Sequence, residues 1–196
     1  MRADLEIIRP WIPDNSRVLD LGCGDGAFLA QLKKDSNISG YGLEIDPEKI
    51  NKCLSAGVDV IEQNLDNGLA NFDSNSFDTV VLAQTLQAVQ KPDLVIDEML
   101  RIGKSGIISF PNFAHWKHRL YLMKKGRMPV SKYLPNEWYN TPNIHLCTIK
   151  DFDQLCKDKN IKIITKTIVN HHYKNSALMD FNPNFFGINA IYHISR

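Results

Sequence analysis

The sequence predicts a single α/β domain, spanning residues 1–196, with a mostly parallel seven-stranded sheet and helices on both of its faces. Apolar runs of strand length alternate with segments of helical periodicity along most of the chain, which is typical of such sheets. The first apolar run leads directly into a glycine-rich turn and then a helix. The length of 196 residues also fits one domain of ordinary size.

Three strands alternate with two helices in the first part of the chain. The strands are predicted at Arg17–Leu21, Ser39–Ile45 and Val58–Glu62. The first helix is Ala27–Lys34, whose apolar residues recur at helical spacing. The second begins at Asp46-Pro47, an N-cap residue followed by proline at the first helical position, and ends near Gly57.

The central part of the chain continues this alternation. The run Asp78–Ala83 is the most apolar, so we expect it in the middle of the sheet with both faces buried. A helix follows at Asp93–Ile102, directly after Pro92. The fifth strand is Gly106–Phe110, and we expect it to end at Pro111.

The C-terminal part of the chain supplies one more helix and two strands. Thr148 is expected to cap a helix over Ile149–Asp158. The runs Ile161–Val169 and Asn189–Ile194 predict the last two strands, as an antiparallel pair at one edge of the sheet.

Residues 112–147 form an insertion between the fifth strand and the helix that follows it. The insertion begins with a helix-like stretch, HWKHRLYLMKKG, and continues as irregular chain interrupted by three prolines. Irregular segments of this length are usually functional or disordered. The aromatic residues Tyr133, Trp138 and Tyr139 argue against disorder, so we predict a lid or an interaction surface.

Composition and charge disfavour several classes of protein. The net charge of +1 gives no strong field for nucleic acid or an anionic membrane, so neither partner is expected. No run approaches the roughly 18 apolar residues of a membrane span. The N-terminal stretch MRADLEIIRPWIP lacks the apolar core of a signal peptide. The four cysteines form no CxxC pair, so we expect reduced thiols in a soluble, cytoplasmic protein.

The strongest chemical signal is the stretch VLDLGCGDG at residues 18–26. A strand that enters a glycine-rich turn lets a ligand approach the backbone closely, because glycine has no Cβ. The following helix presents free N–H groups to an electronegative ligand group. Dinucleotide-binding proteins use the spacing GxGxxG, whereas Gly22, Gly24 and Gly26 give GxGxG. This spacing disfavours an NAD-dependent enzyme.

Two acids complete this pattern. Asp20, two residues before Gly22, would repel a pyrophosphate but suits a ligand with an ammonium group. Glu44 ends the second strand, where an acid can bind both ribose hydroxyls. S-adenosylmethionine carries both an ammonium group and a ribose, so we predict this cofactor, with S-adenosylhomocysteine as the product. The alternatives are a plain tight turn at the glycines and a loop-capping role for Asp20.

Several motifs resemble known families. VLDLGCGDG, GLEID and FDTVVLAQTLQAVQKP resemble the class I S-adenosylmethionine-dependent methyltransferases, which have a Rossmann-like fold. A closer similarity is to the MetW family of methionine-biosynthesis proteins, and it lies in AQTLQ, SFPNFAHWKHRLYLMKKGRMPV and WYNTPNIHLCTIKDF. Much of this similarity falls in the insertion, where methyltransferases differ most. It implies the fold, the cofactor and a link to methionine synthesis, but no established methyl acceptor.

The resemblance also implies a set of cofactor-binding residues. They are Asp20, Gly22, Cys23, Gly24, Gly26, Glu44, Ile45, Asn64, Leu65 and Gln84. In the class, an acid that follows the third strand often meets the adenine amino group. Here Asn64 stands near that place and Asp66 follows two residues later, so this contact is open between them. Gln84 follows the fourth strand, where the class contacts the methionine moiety or the acceptor.

No catalytic residue is assigned from the sequence. Methyl transfer is an in-line displacement, which needs a base only if the acceptor must lose a proton. The candidates in the insertion are His115, His118, Tyr139 and His145. His115 and His118 share a helix face, but no Cys or acid completes a ligand set, so a structural pair is favoured over a metal. His171 and His172 are adjacent and form a poor chelate.

Two functions remain open at this point. The first is methyl transfer to an undetermined acceptor, and the second is that of a non-catalytic or regulatory partner of homoserine O-acyltransferase, which the MetW resemblance implies. Aromatic side chains of the insertion fit either an acceptor pocket or a protein interface. They are Trp116, Tyr121, Tyr133, Trp138 and Tyr139, with Arg119 and Arg127 close by. Pro111-Asn112-Phe113 follows the fifth strand rather than the fourth, which argues against N-methylation of nucleic-acid bases.

Overall fold

A computed structural model describes residues 3–131, 134–170 and 172–196 of the chain. Tyr133 and His171 therefore lie outside the described residues. The sheet has seven strands: β1 (Arg17–Leu21), β2 (Ser39–Glu44), β3 (Val60–Glu62), β4 (Phe77–Ala83), β5 (Gly103–Pro111), β6 (Lys162–Val169) and β7 (Asn189–Ser195). The α-helices are α1 (Ala3–Ile8), α2 (Ala27–Ser36), α3 (Pro47–Ser55), α4 (Pro92–Ile102), α5 (Trp116–Lys125), α6 (Ile149–Asp158), α7 (Ala177–Phe181) and α8 (Pro183–Phe186).

The strand order in the sheet is β3-β2-β1-β4-β5-β7-β6. Strands β1 to β5 are parallel to one another, and β7 is antiparallel to both β5 and β6. The predicted α/β fold with a mostly parallel, seven-stranded sheet is therefore confirmed, including the antiparallel pair at one edge. After β1, the next strands β2 and β3 are added on one side of it, whereas β4 and β5 are added on the other side. This reversal of strand order creates a crevice between β1 and β4, which is where open α/β sheets bind ligands.

The core lies on both faces of the sheet because the central strand alternates its side chains between two hydrophobic clusters. Val80 and Leu82 of β4 belong to one cluster with α4 and α6. Val81 and Ala83 belong to the other with α1 and α2. The prediction that this strand is buried on both faces is confirmed, since every residue from Thr79 to Ala83 is buried.

Local sequence signals fix several helix ends. The Asp46 side chain accepts a hydrogen bond from the backbone N–H of Glu48 at 2.9 Å, and Pro47 opens α3 as predicted. Thr148 and Asp151 form a reciprocal capping box at the start of α6. Both caps satisfy backbone donors that a helix N-terminus would otherwise leave without a partner.

Some expectations for the elements were wrong in detail. The fifth strand begins at Gly103 rather than at Gly106, while its end at Pro111, which pairs with Asn189 of β7, is where it was expected. Proline has no backbone N–H, so at this strand end it can accept a hydrogen bond but cannot donate one. The sequence did not predict α1, α7 and α8, which are short helices of four to six residues. No described helix is long and apolar enough to cross a membrane.

Candidate functional site

The candidate site lies at the carboxyl ends of β1, β2 and β4, where the strand order reverses. Three glycines form the turn after β1, and each has a left-handed φ: +75° at Gly22, +62° at Gly24 and +74° at Gly26. Such angles are strained for residues with a side chain. The turn therefore requires glycine on conformational grounds alone.

Close neighbours restrict two of these glycines further. A Cβ added to Gly22 would lie 2.7 Å from Thr85 Oγ1, and one added to Gly26 would lie 2.9 Å from Cys53 Sγ. A Cβ on Gly24 would meet no atom within 4 Å. Gly22 and Gly26 thus pack the turn against its surroundings, while Gly24 leaves open space in front of the backbone.

The carboxylate of Glu44 joins the glycine turn to β2. Its Oε2 accepts a hydrogen bond from the Gly24 N–H at 2.9 Å. Its Oε1 accepts from the N–H groups of Ile45 at 2.9 Å and Asp46 at 3.1 Å. The residue is only 6% exposed, so these bonds satisfy a buried charge. Glu44 consequently has a fixed orientation at the mouth of the site.

Two clefts meet at the glycine turn. The first has a volume of about 410 Å³ and is lined by α1, the turn and the start of α2. The second has a volume of about 560 Å³ and lies between the turn, the end of β2 and the loop after β4. Gly22, Gly24 and Ala83 line both clefts. Each volume falls in the range of small-molecule sites. Because the two clefts share these lining residues, we describe them together as one trough with the turn at its centre.

The structure brings most of the sequence-predicted site residues to this trough. Asp20 and Cys23 line the first cleft. The second cleft is lined by Glu44, Ile45, Asn64, Leu65 and Gln84. Gly26 lines neither cleft, and it contributes to the turn through its close packing against Cys53.

The loop after β3 contributes two polar side chains to the second cleft. The Oδ1 atom of Asn64 accepts a hydrogen bond from the backbone N–H of Asp66 at 3.0 Å and so caps a short helical turn. One oxygen of Asp66 accepts from the N–H of Gln90 at 2.7 Å. Both residues line the cleft, so the third-strand loop presents a fixed amide and a fixed carboxylate to it.

The cysteine of the glycine motif faces a second cysteine. The Sγ atoms of Cys23 and Cys53 are 3.8 Å apart, and the Cys53 thiol lies 3.2 Å from the Gly24 carbonyl oxygen, to which it donates. Burial raises the pKa of both thiols above the ordinary value. Both side chains are therefore protonated packing groups between the turn and α3 rather than nucleophiles.

The sequence did not predict the contribution of α1 to the site or the backbone conformation of Gln84. Leu5 of α1 lines the first cleft, and the spacing of buried Leu5, Ile8 and Ile12 was the available helical signal. Gln84 adopts a left-handed φ of +57°. Its backbone N–H donates to the carbonyl oxygen of buried Ser109 at 2.9 Å and lies 3.2 Å from the hydroxyl oxygen of the same residue. No sequence pattern identifies this backbone conformation, which rests on the neighbouring strand β5.

The insertion candidates for catalysis do not line the trough. The His115 side chain caps α5, and buried His118 stacks on Phe113 at 5.8 Å, where burial lowers its pKa. His145 lies 3.2 Å from the Gln90 carbonyl oxygen, and Tyr139 is 70% exposed. None of these four candidates lines either cleft. Within the described ranges, no three His, Cys, Asp or Glu side chains are grouped as a metal site requires.

The insertion nevertheless reaches the edge of the second cleft. The N–H groups of Ile144 and His145 donate to the Gln87 carbonyl oxygen at 2.9 and 3.0 Å. These bonds hold Pro142 and Asn143 at the rim, where both line the cleft. A short stretch near the end of the insertion thus forms one wall of the trough.

Solved structures of similar fold come from several sources. The chain resembles an S-adenosylmethionine-dependent methyltransferase from Mesorhizobium loti with a TM-score of 0.72 at 16% identity, covering 99% of this chain and 98% of that one. The [4+2]-cyclase SpnF gives 0.71 at 16% identity, covering 99% and 80%. An S-adenosylmethionine-dependent methyltransferase from Archaeoglobus fulgidus gives 0.68 at 16% identity, covering 99% and 92%. At these identities the likeness shows the fold alone.

Sequence comparison gives a narrower result. Residues 2–194 match the family described as methionine biosynthesis protein MetW. A curated relative, the bifunctional methionine biosynthesis protein MetXA/MetW of Rhodopirellula baltica, is 38% identical over 175 residues. The match covers 83% of this chain but 28% of the relative, so the chain corresponds to little more than a quarter of that protein.

Proposed function

The chain belongs to the MetW family of methionine biosynthesis proteins, and we propose that it binds S-adenosylmethionine in the trough and transfers its methyl group to an acceptor. Fold alone does not support this step, since one of the similar structures is named a cyclase. The observation that carries the proposal is the trough itself, which has one buried acid in each cleft and the glycine turn between them.

The first cleft fits the amino-acid end of the cofactor. Asp20 is 4% exposed and lines this cleft beside the turn. A buried carboxylate there favours a ligand ammonium group, because a charge removed from water is stabilised by an opposite charge. The open space in front of Gly24 then leaves room for the sulfonium centre near the junction of the two clefts.

The second cleft fits the nucleoside. The fixed carboxylate of Glu44 retains lone pairs for the ribose hydroxyls in addition to its three backbone bonds. Ile45, which is 56% exposed, offers an apolar surface to the base. We assign the acceptor for the adenine amino group to the Asp66 carboxylate, because the Asn64 oxygen already caps the local turn.

Methyl transfer requires mainly that the protein position the cofactor and the acceptor. The acceptor attacks the methyl carbon in line with the bond to sulfur, and holding both partners in that geometry supplies much of the rate enhancement. Gln84 lines the second cleft at the end of β4, and its strained backbone is typical of functional sites. Its side-chain amide is the polar group that we expect to orient the acceptor or the methionine moiety.

Ligand fragments test the division of the trough into two halves. Asp20→Asn should weaken binding of S-adenosylmethionine at least tenfold, or about 1.4 kcal/mol, yet leave 5′-methylthioadenosine unaffected, since that molecule lacks the ammonium group. Asp66→Asn should weaken both ligands. Equal effects of Asp20→Asn on the two ligands would contradict the assignment. Transfer itself is tested by release of S-adenosylhomocysteine from S-adenosylmethionine with candidate acceptors.

A second candidate function is that of a partner subunit of homoserine O-acyltransferase. It is supported by the relative that joins a MetXA part and a MetW part in one chain. Fusion keeps two proteins at high effective concentration, as expected for units that act together. Co-purification of the two separate proteins tests this role, and failure to associate at micromolar concentrations would contradict it.

A further inference from the structure

Within the described part of the chain, the contacts that attach helix α5 to the protein involve its N-terminal half. The Arg119 guanidinium lies over the Phe185 ring at 5.6 Å, and its Nε donates to the Ala114 carbonyl oxygen. His118 is the one residue of the helix that is buried. Every residue from 121 to 128 is exposed. The C-terminal half of the helix therefore extends into solvent.

The C-terminal end of α5 nevertheless has a defined capping structure. Gly126 ends it in a left-handed conformation with φ +60°, and its N–H donates to the Leu122 carbonyl oxygen at 2.9 Å. This is the usual C-terminal capping arrangement. Isolated helices of about ten residues are marginal in water, so a helix end without packing is expected to gain stability from a partner.

The exposed half of α5 is apolar as well as basic. Tyr121 is 36% exposed, Leu122 43% and Met123 76%. Lys124 and Lys125 follow directly in the sequence, and both are exposed. We call these five side chains, residues 121–125, the α5 surface. Tyrosine and methionine are enriched in protein interfaces, where they fill apolar pockets.

Charge is distributed unevenly around this surface. Six of the 23 Lys and Arg residues lie between residues 105 and 136, and none of the 22 acids does. The rest of the chain consequently carries 17 basic against 22 acidic side chains. A basic rim around exposed apolar side chains is complementary to a partner with an acidic rim and an apolar centre.

We propose that the α5 surface docks into an acidic-rimmed apolar groove on the acyltransferase partner. This proposal rests on the second candidate function, and it names the surface that would carry the association. The fusion of the family's unit to another catalytic unit in the Rhodopirellula relative favours a protein as the occupant. The docking mode that we expect is a groove that encloses the end of the helix and takes up its adjacent apolar side chains.

A membrane fits the same surface less well. Helices that lie on membranes gather their apolar side chains on one face. Tyr121, Leu122 and Met123 are consecutive, and steps of about 100° per residue spread them over more than half of the helix circumference. A groove that surrounds the helix end can bury all three side chains, whereas a flat lipid surface cannot.

The test is a titration of the full chain with the homoserine O-acyltransferase of the same organism. Two variants address the apolar and basic parts: Leu122→Ala/Met123→Ala and Lys124→Glu/Lys125→Glu. The control, Lys157→Glu/Lys162→Glu, reverses two exposed lysines on α6 and β6. We expect about tenfold or weaker binding for both α5 variants, and a change of less than about twofold for the control. S-adenosylmethionine titration and thermal melting of each variant verify that it is folded.

The outcomes separate the surface from the partner role. If the wild-type chain does not bind the acyltransferase, the partner role fails and the docking proposal fails with it. If the wild type binds and the α5 variants bind equally well, the docking proposal alone is overturned. Loss of binding to anionic vesicles, or of self-association, in the α5 variants with unchanged acyltransferase affinity would also overturn the assigned occupant.

Discussion

The turn after β1 and the insertion after β5 leave the same edge of the sheet, yet the protein holds them in different ways. The turn is closed by packing against Thr85 and Cys53 and by hydrogen bonds to the buried Glu44 carboxylate. Among the described residues of the insertion, the hydrogen bonds to the rest of the protein lie near its two ends, while residues 121–128 are all exposed. The comparison indicates that a rigid site and an adaptable surface lie side by side.

Matched glycine substitutions should give the largest contrast between these regions. Gly22 and Gly126 have similar left-handed φ angles, +75° and +60°, but an added Cβ meets Thr85 only at Gly22. Gly22→Ala should lower the free energy of unfolding by about 2–5 kcal/mol and abolish cofactor binding. Gly126→Ala should cost about 1 kcal/mol, from backbone strain alone. Denaturant unfolding measures both, and equal costs would contradict the comparison.

Replacement of Glu44 tests how the turn is held. In the wild type, both oxygens of the Glu44 carboxylate accept hydrogen bonds from backbone N–H groups. In Glu44→Gln, the amide N–H₂ replaces one of these oxygens and must face a backbone N–H, so two donors meet. We expect the free energy of unfolding to fall by about 1–3 kcal/mol, and the affinity for S-adenosylmethionine to fall at least tenfold. Glu62→Gln, at an exposed strand end, is the control. Calorimetric titration with S-adenosylmethionine measures the affinity of both variants. Wild-type affinity in Glu44→Gln would contradict the role of this carboxylate in the site.

Acidification should loosen the insertion. Burial lowers the pKa of His118 below the ordinary 6.5, so the folded state holds a neutral imidazole while the unfolded state takes up a proton. Its contribution to stability is complete above pH 6.5 and is lost as the pH falls from there toward the folded pKa.

Hydrogen exchange at pH 7.5 and 5.5 should therefore show earlier loss of protection in α5 than in β4, and His118→Gln should remove the difference. His193 requires a parallel control, because burial also lowers its pKa within the sheet. Equal loss of protection in α5 and β4, after correction for intrinsic exchange rates, would contradict this prediction.

The smallest effect is expected on the α5 surface. Met123→Ala removes a side chain that is 76% exposed and replaces it with the best helix former. The free energy of unfolding should change by less than about 0.5 kcal/mol. Denaturant unfolding of this variant provides the measurement. A loss above about 2 kcal/mol would mean that Met123 packs within the chain, and the contrast with the turn would disappear.

Much of the fold was predictable because its signals are local. The alternation of apolar runs located all seven strands, and Asp46-Pro47 and Thr148 marked two helix starts. The glycine spacing located the turn, since only glycine adopts its φ angles readily. These features depend on residues within a few positions of one another.

The remaining features depend on contacts between distant segments. Long-range packing produces three of these features: the wall that α1 adds to the first cleft, the strained backbone of Gln84 and the position of Asn143 at the rim of the second cleft. The sequence placed four catalytic candidates in the insertion, but the structure puts none of them along the trough. Composition alone cannot indicate whether an aromatic segment folds over a site or away from it.

The most direct test of the central claim is calorimetric titration of the intact chain with S-adenosylmethionine and, separately, with S-adenosylhomocysteine. We expect one molecule of either ligand to bind per chain at micromolar concentrations, and Asp20→Asn and Glu44→Gln each to weaken this binding at least about tenfold. Absence of binding of both ligands at millimolar concentration would contradict the account, because the trough would then serve some purpose other than holding this cofactor.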